Sequence, residues 1–254
     1  MNLIYKGLLS TYKTGQKAFA VLLDPDKLYQ KNAEEIIKAA ESCNIDYFFV
    51  GGSILTQDFL EEVILEIKRK TNIPVIIFPG SNQHISKKAD GILLLSLISG
   101  RNPEFLIGQH VISAPILKES GLEILPTGYM LVDCGSQTTV SYISNTTPIP
   151  YDKNDIAACT AMAGEMLGLK LIFLDGGSGA AKPVHKKMIA SVRKAVDVPI
   201  IVGGGINSSS KALDALSAGA DLIVIGNGIE ERTELMYEVS EAVSEINNAM
   251  KQRI

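Results

Sequence analysis

The chain has 254 residues, 46% of them hydrophobic and 20% charged, with a net charge of −4 at pH 7. Such usage belongs to an ordinary globular protein and excludes a disordered chain, a collagen-like repeat or a disulfide scaffold; the slightly acidic balance offers nucleic acid no bulk attraction. Cys43, Cys134 and Cys159 are odd in number and widely spread, which suits a reducing, cytoplasmic compartment.

The first residues mix lysines and polar side chains into an apolar run and lack the arrangement of a secretory signal. No stretch approaches the ~20 apolar residues needed to cross a bilayer, so no transmembrane segment is expected. In chain order, short aliphatic and β-branched runs predict eight strands: Phe19–Leu23, Tyr47–Val50, Val75–Phe78, Ile92–Leu95, Tyr129–Val132, Leu171–Leu174, Pro199–Val202 and Leu222–Ile225. Most are continuously apolar rather than alternating, as parallel strands buried on both faces are. Helical periodicity marks Ala33–Ser42, Asp58–Lys70, Asp155–Leu167, Lys186–Ala195 and Ser208–Ala218. In the second of these, Phe59, Val63, Ile64 and Ile67 share one face. Eight strands with helices between most of them predict a single-domain α/β chain over residues 1–254, a (β/α)8 TIM-like barrel. A doubly wound open sheet is the alternative. Two stretches break the rhythm. PGSNQHISKKAD, after the third strand, has little helical pattern and predicts a loop in place of a helix. The Thr/Ser/Pro-rich segment 136–155 reads as an insertion of the kind that carries function on barrels.

Barrel enzymes build their sites at the C-terminal ends of the strands. Here those ends read LLDPDK, VGGS, FPGS, LSLISGRN, VDCGS, LDGGSGAA, VGGGIN and IGNG, rich in glycine and serine, with carboxylates at Asp24, Asp26, Asp133 and Asp175. Gly203–Gly205 and Gly226–Gly228 follow strands seven and eight, where barrel phosphate sites are commonly built and where a side chain would block approach of the anion to backbone N–H groups. Ser208–Ser210 supplies a helix cap after the first of these loops. Asp175–Gly179 forms a second cradle, in which Asp175 either faces a substrate hydroxyl or serves as a turn residue. Asp24, closing the first strand, is suited to Mg²⁺, a hard cation that prefers oxygen ligands, with the Ser53 hydroxyl as its neighbour. Asp26 and Lys27 read as a helix start and a solvated pair. His84, His110 and His185 lack zinc spacing, and His84 reads as a loop residue.

Taken together and in this order, LLDPDK, FFVGGS, FPGS, LLLSLISGRNPEFLIGQH, LPTGYMLVD, FLDGGSGA, VGGGI and IGNG resemble the geranylgeranylglyceryl phosphate synthase family, including its heptaprenylglyceryl phosphate synthase relatives. The resemblance runs over nearly the whole chain, and its length and NTTPIP segment are those of the longer, often oligomeric branch. It implies a prenyltransferase that joins sn-glycerol 1-phosphate to a long-chain prenyl diphosphate by an ether bond, with Mg²⁺ as cofactor and diphosphate released. It further implies a homo-oligomer and release of the product at a membrane surface. Carried over, Asp24 and Ser53 hold the metal, and Asp175 is the catalytic base. Phe173, Leu174, Asp175, Gly176, Gly177, Ser178 and Gly179, with Gly204, Gly205, Gly226 and Asn227, hold glycerol phosphate. The chain departs from the family's usual residues in having Phe173 for a tyrosine and Asp175 for a glutamate, and in having Leu22 where the short relatives have a lysine. The prenyl groove is expected along the fourth and fifth strands and Leu125–Met130. Another phosphate-binding barrel enzyme, a sugar-phosphate isomerase or cyclase, and a non-catalytic phosphometabolite-binding barrel stay open as alternatives.

Overall fold

In a computed structural model, which describes residues 3–28 and 33–251, the eight strands are all parallel and close in sequence order. They are β1 (Ala18–Leu23), β2 (Tyr47–Gly51), β3 (Val75–Phe78), β4 (Gly91–Leu97), β5 (Glu123–Leu131), β6 (Leu171–Asp175), β7 (Ile200–Gly203) and β8 (Leu222–Ile225). The helices are α1 (Leu3–Thr14), α2 (Pro25–Leu28), α3 (Ala33–Ser42), α4 (Leu60–Lys70), α5 (Gln109–Ser120), α6 (Thr139–Ser144), α7 (Asn154–Met166), α8 (Lys186–Ala195), α9 (Ser209–Ala218), α10 (Asn227–Glu231) and α11 (Glu234–Lys251). The barrel is the one expected, and residues 79–90 contain no helix between β3 and β4.

Successive strand residues face opposite sides, and the core divides accordingly. One set, with Phe49, Ile76, Leu93, Leu125, Leu171, Phe173 and Ile201, fills the barrel interior. The other, with Phe48, Val50, Ile77, Ile172, Leu174 and Val202, packs under the helices with Ile64, Ile67, Ile189 and Val192. Burial on both faces explains why the strands read as unbroken apolar runs. Helix α1 closes the N-terminal mouth: Ile4 and Leu8 are buried in the interior set, and the Glu123 carboxylate accepts from the Ile4 and Tyr5 backbone N–H groups at 2.9 and 2.7 Å. An acceptor satisfying two of the first N–H groups of a helix is a cap supplied from another element. The opposite mouth stays free for a site.

Register sets that mouth. Leu131 stands beside Asp175, Asp175 beside Gly203 and Gly203 beside Val224, while Leu23 pairs with Val50. Strand β5 is longer than expected. Glu123, Pro126 and Gly128 interrupt its apolar pattern and conceal its first half, although the whole segment pairs with β4 from Gly91↔Glu123 to Leu97↔Tyr129. Val132, expected inside the strand, lies beyond it and makes a lone parallel bridge to Ile149. Helix α6 lies within segment 136–155, opened by a capping box between Thr138 and Ser141. Ser208 caps α9 by accepting from Lys211 N–H, as expected.

Candidate active site

The strand ends surround a cavity of about 500 Å³. Phe173 and Asp175 face it from β6 because alternate residues of a strand point the same way. By the same rule Leu174 points outward and is buried under the helices. Period-two alternation therefore keeps its side chain out of the cavity, and the contact expected of Leu174 is left to its backbone. Gly176 is also outside the cavity lining. Its N–H donates to Gly203 O at 3.0 Å, and a Cβ there would press on Cys134 Sγ at 3.0 Å, so its part is packing. The other predicted residues, Asp24, Ser53, Phe173, Asp175, Gly177, Ser178, Gly179, Gly204, Gly205, Gly226 and Asn227, all line this one cavity.

Asp175 is held from two sides. Tyr129 Oη donates to its Oδ2 at 2.6 Å, and Gly177 N–H donates to its Oδ1 at 2.7 Å. Burial raises the carboxyl pKa above its ordinary value, and these two hydrogen bonds oppose the rise by favouring the charged form. Burial and the adjacent carboxylate push the Tyr129 phenol well above its ordinary range, so at neutral pH the phenol stays protonated and remains the donor. Tyr129, Phe173 and Phe78 form an edge-to-face triangle with centroids 5.5–6.0 Å apart. Sequence reading missed Tyr129 as a partner of Asp175. No local signal marks it, because the two partners stand on neighbouring strands 46 positions apart.

Gly204 and Gly205 both have left-handed backbone, φ +80° and +70°. A Cβ at Gly204 would lie 2.7 Å from Gly176 N and 2.8 Å from Asp175 Oδ1. At Gly205 the close neighbour is Lys182 O, at 2.5 Å. Glycine is needed there so that the β7 loop can lie against the β6–α8 loop; approach of an anion is not the reason the packing supplies. The β8 loop is tied in by side chains. Asn227 Nδ2 donates to Ser178 Oγ at 3.1 Å, and Lys27 Nζ donates to Asn227 Oδ1 at 3.1 Å and to Glu230 Oε2 at 3.0 Å. The expected solvated pair of Asp26 and Lys27 is thus corrected. Lys27 crosses to α10, while Asp26 accepts from Thr56 N–H and Oγ1 at 2.6 and 2.8 Å.

Across the cavity stands Asp24, half-buried. Burial raises its pKa, Lys27 and the Asp26 N–H oppose the rise, and Glu230 and Asp26 add to it. A Cβ at Gly52 would lie 3.9 Å from Asp24 Oδ2, so this carboxylate faces the loop that carries Ser53. Among the described residues no cluster of three or more His, Cys, Asp or Glu side chains is arranged to hold a metal. Mg²⁺ commonly takes one or two carboxylates and completes its shell with water and substrate phosphates, and a hard-oxygen carboxylate beside other acids fits that mode.

A narrower apolar groove of about 100 Å³ adjoins the cavity, sharing Ser53, Phe78, Tyr129 and Val140 with it. Its walls come from Ile92–Leu95 and Leu97 of β4, Phe105, and His110 and Leu117 of α5. From β5 only Tyr129 contributes. The expected part of Leu125–Met130 is corrected apart from Tyr129, since Leu125 is buried in the interior core and Met130 under the helices.

The sequence profile of the PcrB family matches residues 12–244. The chain belongs to the PcrB family. A geranylgeranylglyceryl phosphate synthase of Spirosoma linguale is 60% identical over 96% of this chain and 99% of its own length. One from Thermococcus gammatolerans is 40% identical over 93% of each. The crystal structure of (S)-3-O-geranylgeranylglyceryl phosphate synthase from Thermoplasma acidophilum, in complex with its substrate sn-glycerol-1-phosphate, aligns with a TM-score of 0.89 at 32% identity, covering 96% of this chain and all of that one. Thiamine phosphate pyrophosphorylase from Pyrococcus furiosus, 14% identical with a TM-score of 0.54, shares the fold alone. As a PcrB-family chain, this protein keeps a glycine-lined cavity beside an apolar groove, and among its described residues no helix is long and apolar enough to cross a membrane.

Proposed function

We propose that this chain is a prenyltransferase that forms an ether bond between sn-glycerol 1-phosphate and a long-chain prenyl diphosphate. The observation that carries the reading is the adjacency of two unlike spaces: a polar cavity with a buried carboxylate shares Tyr129 and Phe78 as common wall with a groove lined by leucine and isoleucine. One suits a small polyol phosphate and the other a hydrocarbon tail. Membership of the PcrB family and the names of its relatives support it.

In this reading glycerol phosphate lies over Gly177–Gly179, Gly204, Gly205, Gly226 and Asn227, with its free hydroxyl toward Asp175. Asp175 takes the hydroxyl proton as the oxygen attacks the first carbon of the prenyl group. The new C–O ether bond forms, the bond from that carbon to the diphosphate oxygen breaks, and diphosphate leaves. The raised pKa of Asp175 makes it a better proton acceptor than an exposed aspartate, and the Tyr129 and Gly177 hydrogen bonds fix its orientation. Phe78, Phe173 and Tyr129 exclude water at the junction of the two spaces. Asp24 and Ser53 would hold Mg²⁺, which when bound supplies charge neutralisation to the departing diphosphate.

The outer face of α5 and the turn before it expose Ile107, Val111, Ile112 and Ile116. A cluster of exposed aliphatic side chains of this kind is usually covered, which supports self-association as a homo-oligomer. Three unpaired cysteines support a cytoplasmic location. Titration calorimetry with sn-glycerol 1-phosphate and its sn-3 enantiomer tests the polar half of the reading. Preferential binding of the first is expected, and equal or absent binding of both would overturn it.

A further inference from the structure

Because no helix follows β3, the loop of residues 79–90 must hold its own shape while lying against the site. It does so with bonds of its own, among them Gln83 N–H to Ser81 Oγ at 3.3 Å and His84 N–H to Ser81 O at 3.2 Å, and with one to α4, Ser86 Oγ to Glu61 Oε2 at 2.7 Å. One further bond ties down the start of the loop. Gly80 N–H donates to His84 Nδ1 at 3.0 Å, so the imidazole accepts from a residue that lines the apolar groove. Gly80 itself lies flat against the loop after β2. A Cβ there would be 2.2 Å from Gly52 O and 2.5 Å from Ser53 O. There is no slack between Gly80 and Ser53, and whatever fixes one fixes the other. Ser53 in turn lines both the polar cavity and the apolar groove.

We infer that His84 is a positioning residue for the diphosphate end of the site: by accepting from Gly80 N–H it presses the Pro79–Gly80 turn onto Gly52–Ser53 and so sets where Ser53 stands. The inference deepens the proposed reaction and rests on the assignment of the Asp24–Ser53 end to the diphosphate. Nδ1 can accept only while it carries no proton. The half-buried ring favours that state, since burial lowers its pKa against the pull of Asp26 and Asp58. His84 touches neither substrate in this scheme and acts through Gly80. An oxygen or nitrogen at the Nδ1 position that accepts from Gly80 N–H is all that the role requires, and an asparagine side chain carries such an acceptor.

The test is steady-state kinetics on His84→Leu and His84→Asn with both substrates varied. His84→Leu is expected to raise the KM for the prenyl diphosphate about five- to tenfold, the scale of one lost hydrogen bond, and to leave the KM for glycerol phosphate within about twofold. His84→Asn is expected to restore most of the loss. His84→Ala takes the place of the leucine variant if that protein does not fold. Equal rises in both KM values, an unchanged prenyl diphosphate KM, or an asparagine variant no better than leucine would overturn the role. Asp24→Asn, measured alongside, separates the two assignments. An unchanged prenyl diphosphate KM in Asp24→Asn removes the diphosphate from this end and overturns the inference with it; a raised one in Asp24→Asn beside an unchanged one in His84→Leu overturns the His84 role alone.

Discussion

Tyr129 of β5 donates its hydroxyl to Oδ2 of Asp175 on β6 across 2.6 Å, and both side chains are buried at the floor of the cavity. The pair joins the two halves of the site. Tyr129 faces the apolar groove with its ring and the polar cavity with its hydroxyl, and Asp175 receives that hydroxyl beside the glycine loops.

Asp175→Asn keeps the shape and removes the proton acceptor. A positioned base is worth about 10²–10⁴ in rate, so kcat is expected to fall by roughly that factor while the KM for glycerol phosphate changes little. Single-turnover rates check it. An unchanged chemical step would take Asp175 out of the mechanism.

Tyr129→Phe bears on the same group through pH. Burial raises the Asp175 pKa and the Tyr129 hydrogen bond lowers it. Removing the hydroxyl withdraws a lowering influence, so the pKa rises further, and the base is lost at a higher pH as the solution is acidified. The acid limb of the kcat/KM profile is expected to move to higher pH in Tyr129→Phe. A limb that stays in place would mean that another group titrates there.

The neighbouring glycines are expected to fail in different ways. A Cβ at Gly204 meets Asp175 Oδ1, whereas one at Gly205 meets the Lys182 carbonyl. Both substitutions strain a left-handed backbone and meet neighbouring backbone, so both should lower the melting temperature, but Gly204→Ala should also lower kcat by disturbing the base. Gly205→Ala should chiefly lower the melting temperature, with left-handed strain of about 1–2 kcal/mol adding to the backbone contact. Thermal melts and kinetics on both proteins check the split, and identical profiles would contradict it.

Phe173→Tyr restores the hydroxyl usual in the family this chain resembles. The ring edge of Phe173 lies against Gly203, where a Cβ would sit 3.2 Å from Cζ, and it lines the cavity. A hydroxyl at Cζ is expected to add one hydrogen bond to glycerol phosphate, about 0.5–1.5 kcal/mol, and to lower its KM about two- to tenfold. A raised KM would mean that the hydroxyl is buried without a partner.

The barrel was legible because parallel strands buried on both faces leave continuous aliphatic runs, and the strand-end carboxylates and glycines marked its working mouth. What escaped has local causes. Strand β5 carries Glu123, Pro126 and Gly128 within its apolar run; Glu123 caps α1 from across the fold, and at Gly128 a Cβ would lie 2.8 Å from Ile98 Cδ1. Leu174 sits inside a motif whose alternate residues face opposite ways, so a contiguous stretch overstates the site. The Tyr129–Asp175 bond joins residues 46 positions apart, and the role of Lys27 as a bridge to Asn227 depends on barrel closure. Neither leaves a trace in local pattern.

Ether-bond formation is the central claim, and one incubation tests it most directly: the purified chain with sn-glycerol 1-phosphate, Mg²⁺ and prenyl diphosphates of graded length, followed by extraction into an organic phase and mass analysis. The account predicts a prenyl ether of glycerol phosphate in the lipid phase, formed in step with released diphosphate and lost when either substrate is withheld. Diphosphate released without any ether product, or no turnover of any chain length by a folded protein that binds glycerol phosphate, would contradict it.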